Sequence, residues 1–342
     1  MNKVNDHTIL KLTDSLHDAT MLYYHASINE EIDNTAVTNY NVERGRLNYY
    51  ESYLQVINYY LEIDDIDDSH LDDDTIKKIK EIFISLDNYI EEKGLNNEEV
   101  RKALLLLDIK GFKNLNYSLD LITPDNVGYI ICKIIDVLCP NKKIKMLDFN
   151  VGIGNLVYTI INNMEKDIEL IGIDNHILMA RVFAAKANML DEKVTVLHQD
   201  ALEVLPSDID LIVSDIATYD YENDGYTSLL YQEGVRYFPY LAIEHYLNVK
   251  SGCKYIYIID NDFFSKKGSD LIKKTIEEKA TIKAFVVLPS SMFQDQSKGK
   301  ALLIIENTPS DSKHIPIYML PSLKEEKAFL DTMKDLLSEL QK

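Results

Sequence analysis

From residue 121 to 310, short runs rich in Ile, Val and Leu alternate with stretches whose apolar residues recur three and four positions apart. The runs 143–149, 168–174, 193–199, 209–215, 254–260, 282–289 and 301–307 read as strands. The stretches 127–138, 155–164, 176–190, 237–249 and 269–279 read as helices, and a final helix over 323–340 is expected to pack on the sheet. Such alternation implies a doubly wound parallel sheet, here of seven strands. The strands are apolar almost without interruption, which implies helices over both faces. Residues 1–120 have a different texture. They are proline-free and glycine-poor, and their apolar spacing predicts helices over 5–28, 39–61, 74–93 and 97–107. The chain therefore reads as α/β, with a helical N-terminal domain over 1–115 and a sheet domain over 116–342.

Composition narrows the function classes. A length of 342 residues suits two domains. Asp and Glu total 56 against 36 Lys and Arg, a net charge of −20. Residues 1–120 hold 24 acidic and 12 basic side chains, and the remainder 32 and 24. Bulk charge of this sign disfavours phosphate backbones and anionic membrane surfaces. No apolar run reaches the roughly 18 residues of a membrane span, and the first residues lack the apolar stretch of a signal peptide. The three cysteines, Cys132, Cys139 and Cys253, form no Cys-x-x-Cys pair. A reduced, cytoplasmic protein without a cysteine zinc site is the expectation. No histidine lies at metal-ligand spacing from a cysteine or acid, so no metal site is expected. The acidic stretch 62–74 lacks the glycine and glutamate of a calcium loop, because His70 and Ile76 stand at those places. It reads as a solvated loop leading into a helix.

Candidate chemistry begins where the first strand ends. There the chain reads Asp148-Phe149-Asn150-Val151-Gly152-Ile153-Gly154-Asn155. Ligands of doubly wound sheets sit at the carboxyl ends of the strands, and two glycines allow close approach of backbone to ligand. A dinucleotide fingerprint would need glycine where Val157 stands, and no Gly-Lys-Ser/Thr of a P-loop follows. The second strand ends at Asp174, placed to accept both ribose hydroxyls of an adenosine-type ligand. The third ends at Asp200, which either accepts from an adenine amino group or caps a short helix starting at Ala201. Asp148 is expected to order the glycine loop. His176 is expected at a helix start, and His198 packed on its strand.

At this point the chain resembles a family. Asp148-x-x-x-Gly152-x-Gly154-Asn155-Leu156 is similar to the first motif of N6-adenine-type class I methyltransferases, which use S-adenosylmethionine (SAM). Thr123-Pro124, followed by an apolar helix, is similar to their Thr-Pro element beside the methionine end of SAM. Residues 287–293 and 299–305 resemble their sixth and seventh strands. The likeness covers roughly residues 115–310 and implies a Rossmann-like methyltransferase sheet. It also implies a SAM site built from Thr123, Pro124, Asp148, Asn150, Gly152, Gly154, Asp174 and Asp200, and a nucleic-acid substrate. The charge does not support that partner, so a protein partner enters as an alternative.

The fourth strand carries the departure from the pattern. The family ends it in Asn/Asp-Pro-Pro-Tyr/Phe, whose side-chain oxygen and backbone carbonyl accept the hydrogens of an amino group as positive charge develops. Here the chain reads Ser214-Asp215-Ile216-Ala217-Thr218-Tyr219-Asp220-Tyr221. Asp215 matches the acid, while Ile216 and Ala217 replace the prolines. Against a stand-alone bacterial branch with Asp-Leu-Pro-Val-Gly-Tyr-Tyr-Pro, Asp215 still matches and Tyr219 or Tyr221 supplies the ring, while the proline is still missing. Asp215 and Tyr219 are therefore the catalytic candidates. The tyrosine-rich segment 219–240 reads as a mobile lid over the cofactor. Lys298 and Lys300 read as solvated lysines flanking Gly299 in a hairpin. Two rivals remain open at this stage, a non-enzymatic SAM-binding or interaction module and a nicotinamide-dependent dehydrogenase.

Overall fold

A computed structural model describes residues 4–33, 48–297, 299–310 and 314–342. Its contacts divide the chain into two compact units. One comprises the described residues of Met1–Leu121 together with Arg181–Lys193, and the other Ile122–Ala180 with Val194–Lys342.

The first unit is helical: α1 (Asp6–Asp33), α2 (Tyr49–Tyr60), α3 (Asp73–Lys93) and α4 (Asn97–Asn114). The helix starts follow from local chemistry. Asn48 and Asn96 each accept from a backbone N–H three residues on, while Glu51 and Glu99 reach back to the cap N–H. These reciprocal bonds satisfy donors that a helix otherwise leaves orphaned. Asp72 caps α3, so the acidic stretch before it is an exposed loop leading into a helix. Of the predicted second helix, residues 39–47 lie outside the described residues. On α1, Leu12, Leu16, Ala19 and Tyr23 are buried at spacings of four, three and four, which is one helical face. That face packs against α2, α3 and α4.

The second unit carries α5 (Asp125–Leu138), β1 (Lys143–Asp148), α6 (Asn155–Asn162), β2 (Asp167–Asp174), α7 (Ile177–Leu190), β3 (Val194–His198) and β4 (Leu211–Asp215). From Arg181 onward α7 counts with the first unit. The chain continues through α8 (Leu229–Gln232), α9 (Phe238–Tyr246), β5 (Lys254–Asp260), α10 (Ser269–Lys279), β6 (Thr281–Val287), β7 (Lys300–Glu306), β8 (Ile317–Met319) and α11 (Glu326–Leu340). The sheet order is β3-β2-β1-β4-β5-β7-β6-β8.

This is an α/β methyltransferase-type sheet with two corrections to the sequence reading. Among the described residues the sheet has eight strands rather than seven, because the three-residue β8 pairs with β6. A run so short between Pro316 and Pro321 carries no strand periodicity. The sheet is also mixed, since β7 runs antiparallel to both β5 and β6. The described residues of the connection 288–299 contain no α-helix, and a parallel return needs a crossover of about a dozen residues or more, usually helical. The final helix does pack at the sheet, against α5, β6 and β8. Among the described residues no helix is long and apolar enough to cross a membrane.

Sequence order reverses between β1 and β4. The chain runs outward from β1 through β2 to β3, then returns to the other side of β1. The carboxyl ends at such a switch point diverge and leave a crevice.

A buried ion pair lies inside the first unit. Lys186 Nζ donates to Asp108 Oδ2 at 2.6 Å, with side chains 1% and 0% exposed. The Tyr50 hydroxyl donates to the other oxygen at 3.3 Å. Burial pushes the Asp108 carboxyl up from its usual range, opposed by the Lys186 charge. Removing one partner of such a pair strands a buried charge. Lys186→Met is expected to lower unfolding stability by about 3 kcal/mol or more, and adding Asp108→Asn should restore part of the loss. Chemical denaturation of both variants checks this; a single variant as stable as the native chain would contradict it.

Candidate functional site

The site forms at the tips of β1, β2, β3 and β4. Its centre is Asp148, the last residue of β1, which is 2% exposed. Its Oδ1 accepts from the Ser214 hydroxyl at 2.7 Å and from the Asn150 N–H at 2.9 Å. The carboxylate thus ties the tip of β4 to the start of the glycine loop. Burial pushes its pKa up to about 7, the two hydrogen bonds oppose the rise, and the neighbouring charges of Asp215 and Asp174 add to it.

The glycine loop is held on its other side by Asp174. The Gly152 N–H donates to Asp174 Oδ2 at 2.9 Å, and the His176 N–H to Oδ1 at 2.8 Å. Gly152 and Gly154 have φ of +54° and +78°, a region that costs other residues about 1–2 kcal/mol. A Cβ built on Gly152 would meet no heavy atom within 4 Å, so the crest of the loop borders open space. Phe149 stacks on Tyr246 of α9, 4.4 Å between centroids and 8° between planes, and this fixes the back of the loop.

Asp200 stands two residues beyond β3. Its Oδ1 accepts from the Leu202 N–H at 2.8 Å and its Oδ2 from the Tyr221 hydroxyl at 2.8 Å. The short helix expected at Ala201 is a turn, so Asp200 closes a turn instead of capping a helix. His176 sits just before α7, as expected. His198 is exposed at the end of β3 and contacts the Asn175 carbonyl at 3.1 Å, not packed as its strand position suggested. The side chain lies at the end of the outermost strand.

Thr123 and Pro124 lead into α5, with Pro124 at its N-cap. The Thr123 carbonyl accepts from Asn155 Nδ2 at 2.7 Å, and its hydroxyl donates to Asp215 Oδ2 at 2.8 Å. Five of the sequence candidates, Thr123, Asp148, Asn150, Asp174 and Asp215, thus join through one hydrogen-bond network with the glycine loop. Asn150 has a role that sequence alone did not show. Its Oδ1 accepts from the Ala217 N–H at 2.6 Å. A peptide unit is planar and its N–H and C=O point opposite ways, so this bond aims the Ile216 carbonyl away from Asn150. Asn150 thereby orients the peptide that prolines orient in the resembled motif.

Tyr219 stacks on Phe238, 4.6 Å apart and 15° from parallel, and remains 42% exposed. Its hydroxyl pKa is raised by burial, then by the charges of Asp200, Tyr221 and Asp174. Those neighbours place it on the β2–β3 side of the site. The segment 219–240 is packed, not a loose cover. Tyr221, Leu230, Val235, Tyr237 and Tyr240 are buried, Asp220 bridges Tyr237, and Tyr221, Tyr226 and Tyr231 meet edge to face. The Arg236 guanidinium lies 3.7 Å over the Tyr231 ring and is spent on this cluster.

Two residues were missed. Ser214 is fully buried, and a hydroxyl in the apolar run of β4 was its sequence signal. Lys300 is not a solvated lysine: its Nζ lies 2.6 Å from Asp215 Oδ1, with side chains 19% and 17% exposed. Its partner is 85 residues distant, so no local pattern announced the pair. Lys298 lies outside the described residues.

The donor set fits an adenosyl ligand. A carboxylate offers about four acceptor sites, so Asp174 and Asp200 retain capacity beyond the bonds described, beside a loop that opens on free space. The fold is that of the class I SAM-dependent methyltransferases. It superposes on a Listeria monocytogenes crystal structure provisionally assigned to that class, with a TM-score of 0.79, 22% identity, and 98% and 100% of the two chains covered. A modification subunit of a provisionally assigned type I restriction enzyme from Vibrio vulnificus gives a TM-score of 0.59 at 14% identity, over 92% of this chain and 78% of that one. The methyltransferase subunit of a type I restriction-modification system from Streptococcus thermophilus gives 0.61 at 11% identity, over 91% and 72%. No family model matches the chain. It belongs to the family of YtxK, an uncharacterized protein of Bacillus subtilis strain 168. The two are 30% identical over 248 residues, which cover 69% of this chain and 75% of YtxK.

Asp148 generates a pH signature. Its folded pKa of about 7 lies above the ordinary carboxyl value near 4, so the native protein holds this proton longer than the unfolded chain. The associated stability is full below about pH 4 and is lost as pH rises through 7, on the order of 4 kcal/mol in all. Asp148→Asn keeps an acceptor for Ser214 and Asn150 but cannot ionise. The melting temperature of the variant minus that of the native chain should rise between about pH 5 and pH 8. A difference that stays flat across that range would refute the assignment.

Proposed function

We propose that the chain binds SAM at the tips of β1 to β4 and transfers its methyl group to an amino group, of the N6-adenine type. The observation that carries this reading is the row of carboxylates Asp148, Asp174, Asp200 and Asp215 at adjacent strand tips around an open glycine loop. Asp174 is assigned the ribose hydroxyls and Asp200 the adenine amino group. Tyr219 offers an exposed ring on that side. Gly152 and Gly154 give the ligand access to backbone, Asp148 and Asn150 hold the loop, and Thr123 and Pro124 border the methionine part.

SAM, when bound, supplies an electrophilic methyl on a sulfonium. Asp215 would accept a hydrogen bond from the acceptor's amino group while the nitrogen forms a bond to the methyl and the methyl–sulfur bond breaks, leaving the neutral thioether; the positive nitrogen would then lose its proton to the carboxylate or to water. The Ile216 carbonyl, oriented through Asn150, is the second acceptor. Most of the acceleration in such a displacement comes from positioning and from preorganised acceptors.

The acceptor is assigned to a nucleic-acid base. Two solved structures of the same fold belong by name to type I restriction systems. With a net charge of −20 the chain does not hold a duplex by phosphate contacts alone, so a basic protein partner is part of this reading. A second reading, a SAM-binding interaction module without transfer, draws on Thr218 at the aromatic position and on the engagement of both Asp215 oxygens.

Calorimetry with SAM is expected to show binding, weakened at least about tenfold in Asp174→Ala through loss of charged hydrogen bonds. Methyl transfer from labelled SAM to DNA, RNA and protein should be detected and should disappear in Asp215→Ala. Binding without transfer to any acceptor selects the interaction module. Thermal stabilisation by NADH but not by SAM would overturn both readings in favour of a dehydrogenase.

A further inference from the structure

Each oxygen of Asp215 already has a partner. Lys300 Nζ lies 2.6 Å from Oδ1, and the Thr123 hydroxyl donates to Oδ2 at 2.8 Å. The lysine reaches this acid across an intervening strand. Lys300 opens β7 and pairs in register with Asp260 on β5, while β5 separates β7 from β4. Asp260 instead accepts from the Thr218 hydroxyl at 3.1 Å. The pair is more than four-fifths buried on each side, which sets it apart from exposed pairs that fluctuate and contribute little. The acids around it are also shielded, with Asp148 2% and Asp174 8% exposed.

We propose that Lys300 is a positioning residue that neutralises Asp215 and so sets how strongly the site prefers the sulfonium SAM over its neutral product, S-adenosylhomocysteine. The inference rests on the SAM reading above. The two ligands differ by one methyl group and one positive charge, both on sulfur. A bare carboxylate near that sulfur attracts the charged ligand selectively, whereas a carboxylate joined to an ammonium presents a dipole whose field falls off faster. Lys300 also competes with an acceptor amino group for the Asp215 carboxylate. An acceptor that displaces it uncovers the Asp215 charge as positive charge moves onto the acceptor nitrogen. Without an acceptor, the paired acid leaves the two cofactor forms weakly distinguished.

The test is calorimetric affinity of the full chain for SAM and for S-adenosylhomocysteine in four forms: native, Lys300→Met, Asp215→Asn and the double variant. The ratio of affinities, SAM over product, should rise roughly three- to tenfold in Lys300→Met, where the acid stands alone. It should fall in Asp215→Asn, where the ammonium stands alone. In the double variant it should return to within about twofold of the native value, because both charges are gone. A purely structural role would weaken both ligands together and leave the ratio unmoved. The same ratio in all four forms, or the opposite order, overturns the proposal. If Lys300→Met does not fold by circular dichroism, the Asp215→Asn ratio decides alone. Failure of the native chain to bind either ligand would instead remove the SAM reading itself.

Discussion

The site depends on one buried carboxylate at the tip of an interior strand. Asp148 ends β1, the strand from which the others fan out to both sides. Desolvation makes its charge expensive, and the Ser214 hydroxyl and Asn150 amide offset part of that penalty. Those bonds fix the departure of the glycine loop relative to β4. Once the loop is fixed, Gly152 meets Asp174, Asn150 meets Ala217, and Asp215 stands beside Thr123.

The acids at the strand tips do different work because their surroundings differ. Asp148 is spent on protein groups, and burial lifts its pKa to about 7. Asp174 clasps the loop and the entry to α7 while lying at the open crest. Asp200 is shared with Tyr221, which links the tip of β3 to the aromatic cluster beyond β4. Asp215 is balanced by Lys300 from the far side of β5. Four residues of one type thus become a loop anchor, a clasp on the glycine loop, a tie to the aromatic segment and a compensated charge.

The turn after Asp215 has no prolines and is held by other bonds. The Ala217 N–H is held by Asn150, Ile216 N–H by the Ile258 carbonyl, and Thr218 by Asp260. Side chains and strand pairing take over what two rings would otherwise impose on the backbone. The same economy applies to segment 219–240, where Tyr221, Tyr237 and Tyr240 join the core that contains Phe238 and Tyr246, with Tyr226 and Tyr231 packed against it.

Periodicity by itself determined the seven longer strands, the helices between them and the helical character of the first third of the chain, because apolar spacing is a local record of burial. The glycine loop and the strand-end acids were legible for the same reason, since each lies where a strand stops. The tertiary structure decided what no window of residues contains. Antiparallel β7 and the short β8 depend on pairing, Ser214 and Asn150 depend on which strands are neighbours, and Lys300 meets Asp215 only because β4, β5 and β7 lie side by side. Charge compensation acts across space, and a partner 85 residues away leaves no trace in local pattern.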